Sequence, residues 1–281
     1  MTTSHQIDLS AGAIRFRESG TGPPIVFVHG LLVDGTLWRK VTPALEGRFR
    51  CIVPDWPLGA HTMAMRPDAD LSTRGVALLI AELLVALDLR DVTLVANDTG
   101  GALAQMLVGE RPERVGRLVL TPCDAFDNFL PPLFRPMQYL ARVPGGLTAF
   151  LQPLRVPALR RLPFAFGRLT KRPIPREVTD AWLSPFLGDR AIRRDTARFV
   201  RGIRARDTLA AARRLSSFEQ PVLLAWAPED RFFPFEHARR LAAIFPDARV
   251  EEVPDSYTFV SEDNPQRVAE LVGDFANGAG R

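Results

Sequence analysis

Cysteine, histidine and lysine are scarce in this sequence, and long apolar runs are absent. Two cysteines, Cys51 and Cys123, among 281 residues are too few for a disulfide framework or a zinc site and suit a reducing compartment. The richest apolar stretch, 76–89, is interrupted by Glu82 and Asp88 and falls short of the ~18 apolar residues of a membrane span. The N-terminus lacks the basic start and apolar centre of a signal peptide. We therefore expect a cytoplasmic protein with no membrane contact, no metal centre and no cofactor.

Charge is unevenly distributed along the chain. Segment 126–215 holds 18 Arg or Lys residues against six Asp or Glu, whereas the whole chain carries a net charge of +4. A basic segment can indicate nucleic-acid binding. Here the basic residues are interleaved with Pro, Phe and Leu. Of the 36 basic residues in the whole chain 34 are Arg, which indicates a general compositional preference for Arg rather than a binding face. We expect no nucleic-acid partner and interpret 126–215 as a separate structural unit.

Short apolar runs alternate with longer amphipathic ones on both sides of this segment, a pattern typical of strands and helices in a largely parallel sheet. Ser72 is a candidate N-cap before a helix whose apolar residues recur at three- and four-residue spacing over 76–87. Asn264 is a second candidate cap, before a closing helix that begins at Pro265. The predicted strands are 25–28, 50–53, 92–96, 115–121, 222–227 and 249–253.

Asp98 stands at the turn between a predicted strand and a helix of small residues, in the sequence Ala-Asn-Asp-Thr-Gly. Ala96, two residues before it, and Gly100, two residues after it, are small, as a nucleophile raised on a tight strand-to-helix turn requires. The start of the helix also favours an anion at this point, because its backbone N–H groups and its dipole attract negative charge. Taken by itself, Asp98 also fits an ordinary helix N-cap.

Two further features accompany this turn. His29-Gly30 ends the strand expected beside it, and Asp230 lies in the sequence APEDRFFP after a later strand. With Asp98, these features resemble the α/β-hydrolase superfamily, and the aspartate at the turn resembles the branch that contains haloalkane dehalogenases and epoxide hydrolases. The resemblance covers essentially the whole chain. It implies an α/β fold, the α/β-hydrolase fold, with a mostly parallel central sheet flanked by helices and an inserted helical cap.

The resemblance also implies how the chain is divided. Residues 1–125 and 216–281 would form the core domain, and residues 126–215 would form the cap over the pocket. The apolar content of the cap indicates a small hydrophobic substrate. The candidate lining residues are Phe126, Phe129, Phe134, Phe150, Phe164, Phe166, Trp182 and Phe186.

Catalytic roles follow from the same resemblance. Asp98 would be the nucleophile that displaces a leaving group and forms an ester with the enzyme. The backbone N–H groups of Leu31 and Thr99 would form the oxyanion hole. Asp230 would be the acid that orients the base. The default activity is hydrolysis of an ester, carbon–halogen or epoxide bond.

The same resemblance supplies candidates around the pocket. His29 and Gly30 belong to the oxyanion turn, and His29 is more plausible there as a structural residue than as a base. Asp124, after the strand that ends at Thr121, is a substitute for Asp230 or a polar hinge residue. Tyr139 is the cap tyrosine that could protonate an opening epoxide ring. Dehalogenases of this type hold the halide with a tryptophan at the position of Thr99 and an Asn or Trp near the oxyanion turn, where this chain has Leu31-Leu32. Tyr139 is the one tyrosine of the cap, and no Pro stands two positions after Gly30, so the dehalogenase and the epoxide hydrolase patterns both match incompletely.

The general base departs from the family pattern. The stretch VPDSYTFVSEDNP keeps the family's Phe, acidic pair and Pro, but Thr258 occupies the position of the catalytic histidine. A hydroxyl cannot accept a proton from water near neutral pH, so hydrolysis of an aspartyl ester lacks its usual base. The chain contains four histidines, and His61 is the candidate substitute because its loop leaves the carboxyl edge of the sheet. A solvent-exposed loop histidine is the alternative.

Two other interpretations stay open. In one, Asp98 has a pKa raised by burial under the cap and serves as an acid or base for a lyase, isomerase or cyclase reaction. In the other, the protein is catalytically silent, and the pocket binds a ligand or captures an alkylating one as a dead-end ester. A base within reach of a water beside Asp98 would favour hydrolysis over both.

Overall fold

A computed structural model describes residues 2–278, in which one eight-stranded sheet is flanked by helices. The strands are β1 (Thr3–Leu9), β2 (Gly12–Ser19), β3 (Pro24–Val28), β4 (Arg50–Pro54), β5 (Val92–Asp98), β6 (Val115–Cys123), β7 (Val222–Trp226) and β8 (Ala248–Glu252). Their order is β1-β2-β4-β3-β5-β6-β7-β8. Strands β3 to β8 pair in parallel, whereas β1 and β2 form an antiparallel hairpin that joins β4. This is the α/β-hydrolase arrangement that the sequence predicts.

The helices occupy the connections between these strands. They are α1 (Thr42–Leu45), α2 (Thr73–Ala86), α3 (Thr99–Glu110), α4 (Pro136–Leu140), α5 (Gly146–Leu151), α6 (Arg176–Gly188), α7 (Arg190–Gly202), α8 (Ala205–Ala212), α9 (Phe235–Ala242), α10 (Val260–Asp263) and α11 (Pro265–Ala276). Short 3-10 helices lie at Gly35–Trp38, Pro112–Arg114, Pro132–Phe134, Gln152–Arg155, Pro157–Arg161 and Leu215–Ser217. None of the helices within residues 2–278 has both the length and the apolarity that crossing a membrane requires.

Local sequence signals fix the ends of several elements. The Ser72 hydroxyl accepts a hydrogen bond from Gly75 N at 3.0 Å, so the predicted cap of α2 is confirmed. Asn264 caps α11 in the same way, with Arg267 N at 3.4 Å. Helix α3 is buried from Thr99 to Val108 because it packs between the sheet, α2 and α8, and this explains its small, apolar sequence.

The hairpin of β1 and β2 is absent from the sequence-based prediction. Its second strand does carry a signal, because Ile14 and Phe16 are buried while Arg15 between them is exposed, the alternation of a half-buried strand. The other six strands lie within one or two residues of their predicted bounds. Cys51 and Cys123 are both buried, free thiols.

The cap segment lies between β6 and β7. Helices α4 to α7 contact one another, and the indole N–H of Trp182 in α6 donates to the Thr36 hydroxyl of the core at 2.7 Å. Arg198 in α7 donates to the carbonyl of Pro67 at 2.8 Å, which ties the cap to the loop before α2. The proposed division at residues 126 and 215 stays a prediction, and α8, although inside the proposed cap, packs against α3 of the core.

Candidate active site

Asp98 lies at the carboxyl end of β5, where the chain turns sharply into α3. Its backbone has φ 54° and ψ −133°, a strained conformation for a residue with a side chain. The side chain makes no capping hydrogen bond to α3, which argues against the ordinary N-cap interpretation. The turn instead presents the carboxylate above the edge of the sheet, as a nucleophile elbow does.

Close packing around the turn requires glycine at two positions. A Cβ atom on Gly30 would lie 2.0 Å from Asp98 Oδ2, so any side chain there would displace the carboxylate. A Cβ atom on Gly100 would lie 2.5 Å from the carbonyl oxygen of His29 and 2.7 Å from that of Val28. The glycine two residues after Asp98 therefore lets α3 start directly against the end of β3.

Backbone donors face the Asp98 carboxylate. Leu31 N donates to Asp98 Oδ2 at 3.2 Å, which places the predicted oxyanion donor against the predicted nucleophile. Burial raises the pKa of Asp98 to about 6, although the N–H groups of Thr99 and Leu31 favour the charged form and limit the rise. At neutral pH the carboxylate is therefore mostly ionised but weakly solvated.

Asp230 follows β7 and shares this buried environment. Its Oδ1 accepts hydrogen bonds from Phe232 N at 2.7 Å and Phe233 N at 2.6 Å, which fix the orientation of the carboxyl group. Burial raises the pKa of Asp230 to about 6, these two N–H groups oppose the rise, and the negative charge of Asp98 adds to it. Asp98 and Asp230 thus interact electrostatically, as members of one site.

Thr258 occupies the loop between β8 and α10 and is fully buried. Its hydroxyl lies close enough to lower the pKa of Asp230, yet the two side chains do not form a hydrogen bond of normal geometry. Thr258 Oγ1 and Asp230 Oδ2 are both buried without a hydrogen-bond partner among residues 2–278. The side chain at the histidine position therefore faces the acid, as the resemblance implies, but it carries no base.

Asn97 fixes the position of this loop. Its Nδ2 donates to the Thr258 carbonyl at 2.8 Å, to the Thr121 hydroxyl at 2.8 Å and to the Pro122 carbonyl at 3.0 Å. One buried amide thus joins the end of β5, the end of β6 and the loop that carries Thr258. Asn97 is absent from the residues predicted for the site, and the signal in the sequence that could have identified it is its place directly before Asp98.

Asp124 is a third carboxyl group close to Asp98. It is completely buried, and the Thr99 hydroxyl donates to its Oδ2 at 3.2 Å. Burial, together with the charge of Asp98, raises the pKa of Asp124 well above its usual value and so favours its neutral form. It lies behind the turn and does not line the cavity described below.

Two of the four histidines are held in other hydrogen-bond networks. His29 is buried, its Nδ1 contacts the Gly30 carbonyl at 2.9 Å, and its Nε2 accepts from Trp56 N at 2.8 Å. This pair of contacts requires the neutral ring, and burial lowers the pKa of His29 to about 4. His61 is also buried rather than solvent-exposed. Its Nδ1 accepts from Gly59 N at 3.2 Å, and its Nε2 lies 3.6 Å from Asp195 Oδ2 of the cap.

The remaining histidines lie further out. His5 contacts the Thr3 hydroxyl on β1, and His237 on α9 packs edge-on against Phe126. Among residues 2–278, none of the four histidines lines the cavity of Asp98 or forms a hydrogen bond with its carboxylate. The expected substitution by His61 is thus not supported by its contacts, which go to Gly59 and Asp195.

A cavity of about 60 Å³ lies above Asp98 and beneath the cap. Asp98 and Thr99 are the polar residues at its floor, and no described side chain that lines it carries an N–H group. Its lining residues are Leu31, Leu32, Asp98, Thr99, Leu130, Pro131, Phe134, Met137, Leu151, Leu154, Phe164, Ala165, Phe166 and Leu169.

Tyr139 does not lie at the pocket, contrary to the prediction from the sequence. Its side chain is 65% exposed on α4 and lies under the guanidinium of Arg142. Met137, two residues earlier, is the residue of α4 that faces the cavity, and positions two apart on a helix point to opposite sides. His29 and Gly30 also do not line the cavity, since His29 is buried below the turn. Three of the eight predicted aromatic residues do line it: Phe134, Phe164 and Phe166.

Among residues 2–278, no group of three or more His, Cys, Asp or Glu side chains is arranged to hold a metal ion.

Comparisons with known proteins agree with this architecture. A family model described as the α/β hydrolase fold matches residues 23–265. Haloalkane dehalogenase 2 of Mycobacterium tuberculosis is 31% identical over 278 residues, which cover 96% of this chain and 93% of that protein. An uncharacterized protein of the same species is 29% identical over 269 residues, which cover 92% of this chain and 77% of that protein.

Solved structures show the same likeness. The structure of a haloalkane dehalogenase from Bradyrhizobium elkani matches with a TM-score of 0.82 at 23% identity and covers 99% of both chains. An α/β hydrolase fold protein from Burkholderia ambifaria matches with a TM-score of 0.80 at 26% identity and covers 97% of this chain and all of that one. Together with the elbow at Asp98 and the sheet order, these matches establish that the chain belongs to the α/β hydrolase fold family.

Proposed function

We propose that this protein is a hydrolase in which Asp98 attacks an electrophilic carbon of a small, largely apolar molecule. The observation that carries the proposal is the Asp98 carboxylate itself, raised on a strained turn, facing the N–H of Leu31 and opening into an apolar cavity. A carboxylate in such surroundings is poorly hydrated and therefore a stronger nucleophile than one in water.

The first step displaces a leaving group. One oxygen of Asp98 forms a bond to the alkyl carbon, the carbon–leaving-group bond breaks, and its electron pair departs with the leaving group. An alkyl ester of Asp98 and a free anion result. Because the lining side chains carry no N–H group to hold that anion, we expect good leaving groups to react best, bromide or iodide before chloride.

The second step cleaves the ester with water. Asp230 Oδ2 and Thr258 Oγ1, which are buried and have no hydrogen-bond partner among residues 2–278, are both free to hold such a water. We assign Asp230 as the base that takes its proton, because a carboxyl group whose pKa is raised to about 6 accepts protons better than an ordinary one. The hydroxide adds to the ester carbonyl, and the alcohol leaves with the proton held by Asp230. The Asp98 carboxyl group that results keeps the second proton of the water, and loss of that proton to solvent restores the carboxylate.

Dead-end capture is the second candidate function. It is favoured by one observation, the threonine in place of the histidine, since a carboxylate is a weaker base than an imidazole in the usual position. In that case the Asp98 ester forms and persists. A lyase or isomerase reaction with Asp98 as acid or base is the third possibility, and it forms no ester.

Intact-protein mass spectrometry with parallel measurement of bromide release tests the proposal. Wild type, Asp98→Ala and Asp230→Asn are incubated with bromoalkanes, epoxides and activated esters of increasing length. Asn at position 230 is close in shape to Asp and can still accept the N–H groups of Phe232 and Phe233, but it cannot act as a base. We expect wild type to release bromide catalytically and Asp98→Ala to be inactive.

The variants separate the candidates. If Asp230 is the base, Asp230→Asn forms the adduct at the wild-type rate and releases it about 100-fold more slowly. A persistent adduct in wild type would show dead-end capture of the ligand instead of catalytic turnover. A wild type that forms neither adduct nor product with the whole panel would overturn the nucleophilic proposal and favour non-covalent chemistry at Asp98.

A further inference from the structure

A second, larger cavity lies on the cap next to the Asp98 cavity. It has a volume of about 460 Å³ and is formed by segment 157–179, from the Pro157–Arg161 3-10 helix to the first turn of α6. We call it the basic groove. It is lined by Pro157, Ala158, Arg160, Arg161, Phe166, Gly167, Thr170, Lys171, Arg172, Pro173, Ile174, Arg176 and Thr179.

The basic groove combines an apolar floor with a cationic rim. Phe166 and Ile174 supply apolar surface, while five of its lining residues are Arg or Lys and none is Asp or Glu. An amphiphile, with an apolar chain and an anionic end, matches both properties. Neutral apolar molecules would match the floor alone.

Neighbouring carboxylates neutralise only part of this charge. Asp180 pairs with Arg160 and Arg176, while Asp255 pairs with Lys171 and Arg172, and Glu229 also contacts Lys171. Five cations thus meet three carboxylates in ion pairs, and a fourth carboxylate, Asp263, accepts hydrogen bonds from the backbone N–H groups of Lys171 and Arg172. The side chain of Arg161 has no ion pair or hydrogen bond within residues 2–278, so its guanidinium is the one best placed to bind an added anion.

The deepest cation is held rigidly. Arg160 is 6% exposed, and its guanidinium donates to the Leu154 carbonyl at 2.8 Å and to the Thr179 hydroxyl at 3.1 Å. Leu154 itself lines the Asp98 cavity. Arg160 therefore belongs to the wall of the basic groove, its charge is paired with Asp180, and its bond to Leu154 joins that wall to a residue of the Asp98 cavity.

Phe166 is the residue that both cavities share. Its ring is 7% exposed and packs at a tilt against Trp182, with 5.6 Å between the ring centres. The Asp98 cavity, at about 60 Å³, is much smaller than the basic groove, at about 460 Å³. A substrate chain that continues from the Asp98 cavity past the Phe166 ring enters the basic groove.

We propose that the substrates of this site are anionic amphiphiles, in which the electrophilic carbon lies beside Asp98 and a carboxylate or other anionic end group lies in the basic groove. The proposal rests on the function proposed above for Asp98. Phe166 separates the two parts and must turn aside for the chain to pass. The apolar chain fills the path, and Arg161 with its neighbours binds the anion.

Paired substrates test this directly. The rate of Asp98 alkylation is measured for bromoalkanoates with bromine at the far end of the chain and for 1-bromoalkanes of equal chain length. We expect a preference of about tenfold or more for the bromoalkanoate at one range of chain lengths, and its loss in Arg161→Glu. Arg168→Glu is the matched control, because Arg168 is an exposed arginine of the same loop that lines neither cavity.

Salt and a reaction-free measurement complete the test. High salt should reduce the preference, because it screens exposed charges. Binding of an unreactive alkanoate to Asp98→Ala, measured by calorimetry and compared with the alcohol of equal length, reports on the basic groove without any chemistry at Asp98. Equal rates for both bromides, or equal binding of alkanoate to Arg161→Glu and Arg168→Glu, would overturn the proposal. If no bromide reacts but the alkanoate binds through Arg161, the function proposed for Asp98 fails while the anion site stands.

Discussion

The two halves of the site differ in how much of the hydrolytic machinery they retain. The nucleophile half, at the turn from β5 to α3, has the strained Asp98, the close glycines and the backbone donor of Leu31. The base half, in the loop after β8, has Thr258 where the family resemblance implies histidine. The turn at Asp98 depends on backbone conformation and close packing, so most substitutions there would disrupt it. The base depends on a single side chain. In the proposed reaction, formation of the ester and its cleavage therefore depend on separate parts of the site.

Gly30→Ala tests the nucleophile half and has the largest expected effect. The added Cβ would lie 2.0 Å from Asp98 Oδ2, so the carboxylate must leave the Leu31 N–H. We expect alkylation to slow about 100-fold, measured by intact-protein mass spectrometry with a reactive bromoalkane. Gly188→Ala is the control, since nothing lies within 4 Å of a Cβ at that position. Alkylation of Gly30→Ala at the wild-type rate would mean that the carboxylate does not need this geometry.

Thr258→His tests the base half. An imidazole beside Asp230 would supply a base and raise the rate of ester cleavage, by about tenfold or more, while the rate of ester formation stays within a few fold. Thr258→Ser, which keeps the hydroxyl, should release the alkyl group at the wild-type rate. Circular dichroism checks that each variant is folded. A folded Thr258→His that cleaves the ester no faster than wild type would contradict the separation of the two halves.

The pH dependence of alkylation distinguishes the two halves as well. Only the Asp98 carboxylate is nucleophilic, and its pKa is raised to about 6, so the alkylation rate should rise with pH and level off above about pH 7. At about pH 5 the rate should be roughly tenfold below the plateau. The same profile in Asp230→Asn would assign the titration to Asp98. A flat profile across this range would exclude a raised pKa for the nucleophile.

The smallest expected effect is on stability. For Asp230, the folded pKa of about 6 lies above the ordinary value of 3.8, so the folded state binds the proton more tightly and loses this advantage as pH rises between the two values. Asp230→Asn should therefore raise the melting temperature at pH 8, by about 3 °C, and change it little at low pH. Asp88→Asn is the control of opposite sign, because Arg114 holds the pKa of exposed Asp88 below its ordinary value. An unchanged melting temperature for Asp230→Asn at pH 8 would contradict the conclusion that burial of the Asp230 charge destabilises the folded state.

Much of this architecture follows from sequence because it depends on local rules. Short apolar runs predicted the six parallel strands, and the Ser72 and Asn264 caps predicted the starts of two helices. The small neighbours of Asp98 likewise predicted its turn. The hairpin of β1 and β2 was missed because its first strand is almost entirely exposed and carries no hydrophobic pattern.

The surroundings of the site were harder to predict because they depend on distant contacts. Nothing near His61 in the sequence indicates that Asp195 of the cap lies 3.6 Å from its ring. The outward orientation of Tyr139 depends on how α4 is rotated, which the neighbouring prolines and arginines do not define. The same holds for Phe166, whose position between two cavities arises from the path of an irregular cap segment.

The Asn97 amide has a consequence for how such proteins diversify. It donates to the backbone carbonyl of residue 258 in the loop after β8, so this hydrogen bond does not depend on the side chain at that position. The side chain at position 258 can therefore change while the backbone of the loop keeps its position. A lineage could lose its base and later regain it by single codon changes without rebuilding the loop, and proteins that only capture a ligand and enzymes that turn it over would then be close neighbours in sequence space.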